Sequence, residues 1–174
     1  MSSFNQFQQS WMTYKITKES LTVLHRVVDS GKEDLLHDTT FPGLTHEEFE
    51  KWYEQSIRNL DEYIILTLFA IFEQIVIDYL KHKSRIIIEE TPKEISKNLH
   101  EKVSEKLKFW QPIERLNILK GYINSEQIDN LIKVKNYRDY IAHKDLKKKS
   151  PSPPISSESV YDDFYKVIEQ LIKI

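Results

Sequence analysis

The segment Lys135-Asn136-Tyr137-Arg138-Asp139-Tyr140-Ile141-Ala142-His143-Lys144 brings together three residue types that can do chemistry: an arginine, an aspartate and a histidine. Histidine changes charge near neutral pH, so His143 can take or give a proton. Arg138 offers a planar fork of N–H donors that suits two oxygens at once and neutralises charge building on oxygen in a transition state. Asp139 can orient either partner. At about 100° per residue, Val134, Tyr137 and Ile141 form one apolar stripe, while Asp139 and His143 lie within about 40° of each other and Arg138 falls between the groups. The periodicity predicts polar groups turned away from the core stripe, open to a cleft or to a second subunit. A plainer reading competes with this one. An Arg–Asp pair near a helix end is commonly a solvated ion pair, and a histidine in the last turn commonly caps the final carbonyls.

Other reactive patterns are few. Without cysteine there is no thiol nucleophile, disulfide framework or cysteinyl metal site. Three scattered glycines cannot build a phosphate-cradling loop. The histidines at 25, 37, 46, 82, 100 and 143 show no metal-ligand spacing among themselves, although folding can bring carboxylates to them. No metal and no cofactor is therefore assigned. Glu73 stands in an apolar run, where a carboxylate needs a partner, and Arg138 is the candidate, which makes Glu73 structural support for the segment. Tyr140 lies off the main stripe, beside the same group. Trp11, Trp52 and Trp110 are most simply core.

These residues must be positioned by helices, because long stretches show helical periodicity with little turn material between them. A first helix is expected over about Phe4 to Val28, on Phe7, Trp11, Tyr14, Leu21, Leu24 and Val28. Thr45-His46-Glu47-Glu48 is a capping box that opens a second helix reaching Lys83, with Asn59 to Asp61 the place for any kink. From Tyr63 onward its apolar residues cover nearly every face, which predicts the central helix of a bundle. A second box, Thr91-Pro92-Lys93-Glu94, starts a third helix ending near Trp110, and a short fourth runs from Pro112 to Lys120 with Gly121 after it. Asn124 with Gln127 opens the fifth, to about His143. Lys147 to Ser157 reads as an exposed loop, and the last helix carries Val160, Phe164, Val167, Ile168, Leu171 and Ile172 on one stripe. The expected fold is one all-α domain over 1–174: an N-terminal helix and loop (1–44), a core holding the segment (45–146), a loop (147–157) and a C-terminal helix (158–174).

The charge is unevenly spread. Residues 1–80 carry 6 Lys/Arg against 13 Asp/Glu, net −7, and residues 81–150 carry 17 against 10, net +7. Such a split fits a nucleic-acid face, or acidic and basic faces that meet in an oligomer. The N-terminus MSSFNQFQQSW lacks the basic-then-apolar pattern of a signal peptide. The run Tyr63 to Phe72 meets Glu73 well short of the roughly 20 residues a bilayer requires. A cytoplasmic protein with no membrane partner is expected.

Arg138 to His143, RDYIAH, resembles the Rx4H motif of the HEPN superfamily, matching it at Arg138, Asp139 and His143. The neighbourhood is similar too: Leu66 to Leu80 (LTLFAIFEQIVIDYL), with Phe72-Glu73 at its centre, looks like the helix that precedes the motif helix in many HEPN proteins. The resemblance spans roughly Thr45 to Ile174. It implies a HEPN-like bundle of five to six helices and a homodimer in which two motif helices build one composite site. It also implies RNA cleavage without a metal, to a 2′,3′-cyclic phosphate and a 5′-hydroxyl. His143 would move the 2′-OH or leaving-group proton, Arg138 would hold the phosphate, and Asp139 would orient them. Tyr140 would stack on a base, and Lys144, Lys147, Lys148 and Lys149 would contact RNA phosphates. A toxin or phage-defence setting, with a cognate antitoxin or operon partner, fits that reading. The alternative is a non-catalytic helical module of the same fold that binds a partner protein or nucleic acid.

Overall fold

A computed structural model describes residues 2–31, 39, 44–86, 93–107, 109–143 and 155–172. Six helices follow in order: α1 (Ser2–Asp29), α2 (His46–Ile86), α3 (Lys93–Leu107), α4 (Pro112–Ile118), α5 (Ser125–His143) and α6 (Ser157–Ile172). Among the described residues they form an all-α bundle without strands.

The local signals act as expected where they can be seen. Thr45 and Glu48 close their box at the start of α2: the Glu48 carboxylate accepts the Thr45 amide at 2.8 Å, and the Thr45 hydroxyl accepts the Glu48 amide at 3.3 Å. The Asn124 side chain accepts the Gln127 amide at 2.8 Å and opens α5. Gly121 takes φ 90°, the left-handed backbone that lets the chain turn between α4 and α5. Thr91 and Pro92 lie outside the described residues.

α2 is the axis of the molecule, touching each of the other five helices. It runs for 41 residues as one helix, through 59–61. Ile65, Leu68, Phe69, Phe72 and Val76 are buried, so its second half is central as its all-round apolarity requires. α6 lies along it and stacks Phe164 flat on Phe72, with ring centres 4.4 Å apart. α1 adds Phe7, stacked on Tyr161 at 5.1 Å, and Trp11, stacked on the same ring at 4.5 Å. A polar pin then ties these three helices. The buried Tyr14 hydroxyl donates to Asp61 and lies 2.6 Å from Ser157 Oγ, while Lys18 reaches Asp61 at 3.1 Å and Glu158 at 3.4 Å.

Some expectations fail. Trp52 is 63% exposed, not core, because burial at that end of α2 is one-sided and follows Phe49, which is 4% exposed. Trp110 is only partly buried, whereas Trp11, also partly buried, packs against the core as expected. α3 ends at Leu107, not Trp110, and α4 at Ile118, not Lys120. Ile172 turns outward from the α6 stripe. Glu73 does not end the apolar character of α2: one charge is diluted by its flanks, and an 18-residue stretch there reaches mean hydropathy 1.8, long and apolar enough by composition to cross a bilayer. In the bundle, 44% of that stretch is covered by protein.

Candidate functional site

α5 places the site by burying Ile128, Leu131, Val134 and Ile141 against its neighbours. Residue 138 stands four after Val134 and three before Ile141, about 40° and about 60° from them, so it falls within the face that α5 buries. The sequence reading turned Arg138 outward with the other polar groups. Instead it lies against α2, its guanidinium carbon 4.3 Å from the centre of the Phe69 ring and its side chain 24% exposed. The flat cation covers an aromatic face that would otherwise be wet.

Glu73 joins two arginines. Arg138 Nη2 donates to its Oε2 at 3.4 Å, the partnership anticipated for this carboxylate. The closer contact was not anticipated: Arg115 Nη1 donates to Oε1 at 2.8 Å, and Arg115 is itself buried. Arg115 Nε also donates to the Leu107 carbonyl at 3.2 Å, which clamps the end of α3 to α4. The available signal was an arginine beside Leu116 in a short helix, where sharing the buried face obliges it to find an anion.

Asp139 completes the arrangement on α5. Its Oδ1 is 3.0 Å from Arg138 Nη1 and its Oδ2 is 2.8 Å from Lys135 Nζ, one turn back. Arg115, Arg138 and Lys135 thus face Glu73 and Asp139, and the group carries one positive charge in excess. Both ends of the Arg138 fork are engaged, and its Nε is shielded from solvent without a hydrogen-bond partner among the described residues. A phosphate arriving here must displace a carboxylate. Asp139 is the one that can yield, because Lys135 remains to pair with it.

His143 ends the helix exposed, one turn beyond Asp139, and makes no hydrogen bond or ion pair among the described residues. Asp139 therefore orients Arg138 and not His143. Tyr140 is half-buried against the core, its ring 6.4 Å from that of Tyr137, so little of it is open for stacking. Burial raises the Tyr137 hydroxyl above its ordinary pKa, with Glu62, Tyr140 and Asp61 adding to the effect. Lys144, Lys147, Lys148 and Lys149 lie outside the described residues.

Among the described residues the site is a surface ledge. The gap enclosed by Phe69, Phe72, Glu73, Pro112, Arg115 and Leu116 is about 10 Å³, room for at most one water. A cleft of about 660 Å³ opens beside Tyr137, but it is lined by Glu54, Asp61, Glu62 and Glu158 against Arg58, a balance that repels a polyanion. Any anion bound by Arg138 is held at the α5 surface, and what closes over it must come from outside these helices. No protein-family model, no curated protein and no solved structure matches the chain.

Proposed function

We propose that the chain is a metal-independent endoribonuclease that works as a homodimer, with Arg138 and His143 of two motif helices forming one composite site. The observation that carries the reading is Arg138 itself: a cation pre-positioned at the α5 surface by Glu73 and Phe69, with a positive surplus around it. Arg138 and His143 are five residues apart, about 140° around the helix and about 7.5 Å along it. One chain therefore presents them on diverging faces, and a second motif helix is the simplest way to bring a histidine and an arginine to the same phosphodiester. In that arrangement one His143 takes the ribose 2′-OH proton as the 2′ oxygen attacks phosphorus. The partner's His143 protonates the departing 5′ oxygen. Arg138 moves from Asp139 to the phosphoryl oxygens and neutralises their added charge, while Lys135 retains Asp139. A toxin or phage-defence enzyme, held in check by an antitoxin or operon partner in the cytoplasm, is the setting this chemistry suits.

The test is RNA cleavage by the purified protein in EDTA, with end-group analysis of the products. Cleavage lost in both Arg138→Ala and His143→Ala, with 2′,3′-cyclic phosphate ends, is the expected result. Cleavage that survives either change removes these residues from the mechanism.

A second reading rests on the engagement of both ends of the Arg138 fork by Glu73 and Asp139. If that arrangement only orders α5, the chain is a helical interaction module. No RNA is then cleaved, and both substitutions leave its biological activity intact.

A further inference from the structure

Far from α5, the end of α1 meets the start of α2, and four potential metal ligands converge there. Each helix supplies a histidine and a carboxylate one turn apart: His25 and Asp29 from α1, His46 and Glu50 from α2. Residues at i and i+4 share a helix face, so both pairs point into the same junction. The sequence alone hides this, because neither histidine has a second histidine at ligand spacing and the two pairs are 21 residues apart.

The distances bound a small volume. His25 Nε2 is 2.8 Å from Glu50 Oε1, and His25 Nδ1 is 3.0 Å from Asp29 Oδ2. His46 Nδ1 is 3.7 Å from Glu50 Oε1, and His46 Nε2 is 3.9 Å from Asp29 Oδ1. One ligand atom each from His25, Asp29 and Glu50 lie within 4.8 Å of one another. Donors around a four-coordinate zinc-class ion, with bonds of about 2.0–2.1 Å, stand about 3.3 Å apart, in the middle of this range.

A further observation favours a cation. Glu50 Oε1 is shielded from solvent, yet no donor is aligned on it as a hydrogen bond.

We infer that His25, Glu50, His46 and Asp29 form a binding site for one divalent transition cation of the zinc class, clamping α1 to α2. Two carboxylates balance the ion's charge and two imidazoles suit its borderline softness. Glu50 and Glu73 are 23 residues apart on one helix, which places the site about 35 Å from the Arg138 ledge. It is independent of whatever chemistry occurs there.

The experiment uses the whole chain, stripped with chelator and then titrated with Zn²⁺ by calorimetry and with Co²⁺ by visible d–d absorption. One saturable site per chain is expected, together with a rise in Tm. His25→Ala and Glu50→Gln should each lower affinity by at least about tenfold and remove the Tm rise. His46→Ala is the guard against misfolding: its side chain is 69% exposed, so it should keep native circular dichroism and still weaken binding. His82→Ala, an exposed histidine elsewhere on α2, should bind as the unmodified chain does. Absence of saturable binding overturns the inference. Binding unchanged in His25→Ala and Glu50→Gln overturns it as well, because the ion then sits elsewhere.

Discussion

Replacing Glu73 with glutamine keeps the volume and an acceptor oxygen but removes the charge that two arginines share. The two contacts are unequal. Arg115 is 2.8 Å away with its side chain 9% exposed, so water can do little to replace Glu73 there. Arg138 is 3.4 Å away and 24% exposed, so water and Asp139 can replace the lost partner. Breaking a fully buried pair costs about 3–5 kcal/mol; the 24% exposure of Glu73 lets solvent in and lowers the expectation to about 2–3 kcal/mol. The Arg138 contact contributes about 0.5 kcal/mol of this. For a chain of this size the loss corresponds to a Tm lower by about 5–10 °C. Urea denaturation of Glu73→Gln, Arg115→Met and the double variant measures the coupling directly, and a value of about 1.5 kcal/mol is expected. The same cycle with Arg138→Met should give less than half as much. A Glu73→Gln cost under about 0.5 kcal/mol, or a stronger coupling to Arg138 than to Arg115, would refute this account of the junction.

Three further outcomes follow from the packing and the titrating groups. Phe164→Ala removes a fully buried ring stacked at 4.4 Å on Phe72, and should cost about 3–5 kcal/mol in chemical denaturation; a loss under about 1 kcal/mol would mean that α6 is not seated as described. Burial, then Asp61, raises the Tyr14 hydroxyl above its ordinary 10.0, so the folded chain holds that proton more tightly than the unfolded one. Burial pulls Lys18 down, but its bonds to Tyr14 and Asp61 outweigh this and raise it as well. The stabilisation from both is complete below about pH 10 and lost as pH climbs through the folded values, so urea midpoints should fall above that pH and fall less steeply in Tyr14→Phe. An equal slope in the variant would remove Tyr14 from the effect. Burial also raises the Asp163 carboxyl, opposed by Lys166 and assisted by Asp162. Its ionised form is therefore disfavoured in the fold. Asp163→Asn should melt higher than the parent at neutral pH, with the gain shrinking as pH falls through the raised value, and a variant that melts lower at neutral pH contradicts this.

Much of the fold was legible because its determinants are local. The Thr45–Glu48 box and the Asn124 cap act within four residues, and each marks a boundary that the structure keeps; Gly121 marks the turn, although α4 stops before it at Ile118. Periodicity named most of the α6 stripe and the central role of α2 for the same reason: an apolar face reports its own orientation. Burial at the periphery was less legible. Trp52 is apolar and in register, yet no neighbouring element covers it.

The candidate site divides along the same line. That Arg138, Asp139 and His143 share a helix, and that Glu73 needs a cation, are consequences of spacing and of the cost of an isolated buried charge, both contained in the chain itself. Which cation meets Glu73 first, which way Arg138 turns, and that His25 and Glu50 face each other depend on contacts 42, 65 and 25 residues apart in sequence. Arg138 falls in angle within the buried face of α5, about 40° from Val134 and about 60° from Ile141. What holds a cation there is not a property of α5 alone; the packing of α5 on α2 supplies it, because there an aromatic face and a carboxylate lie within its reach.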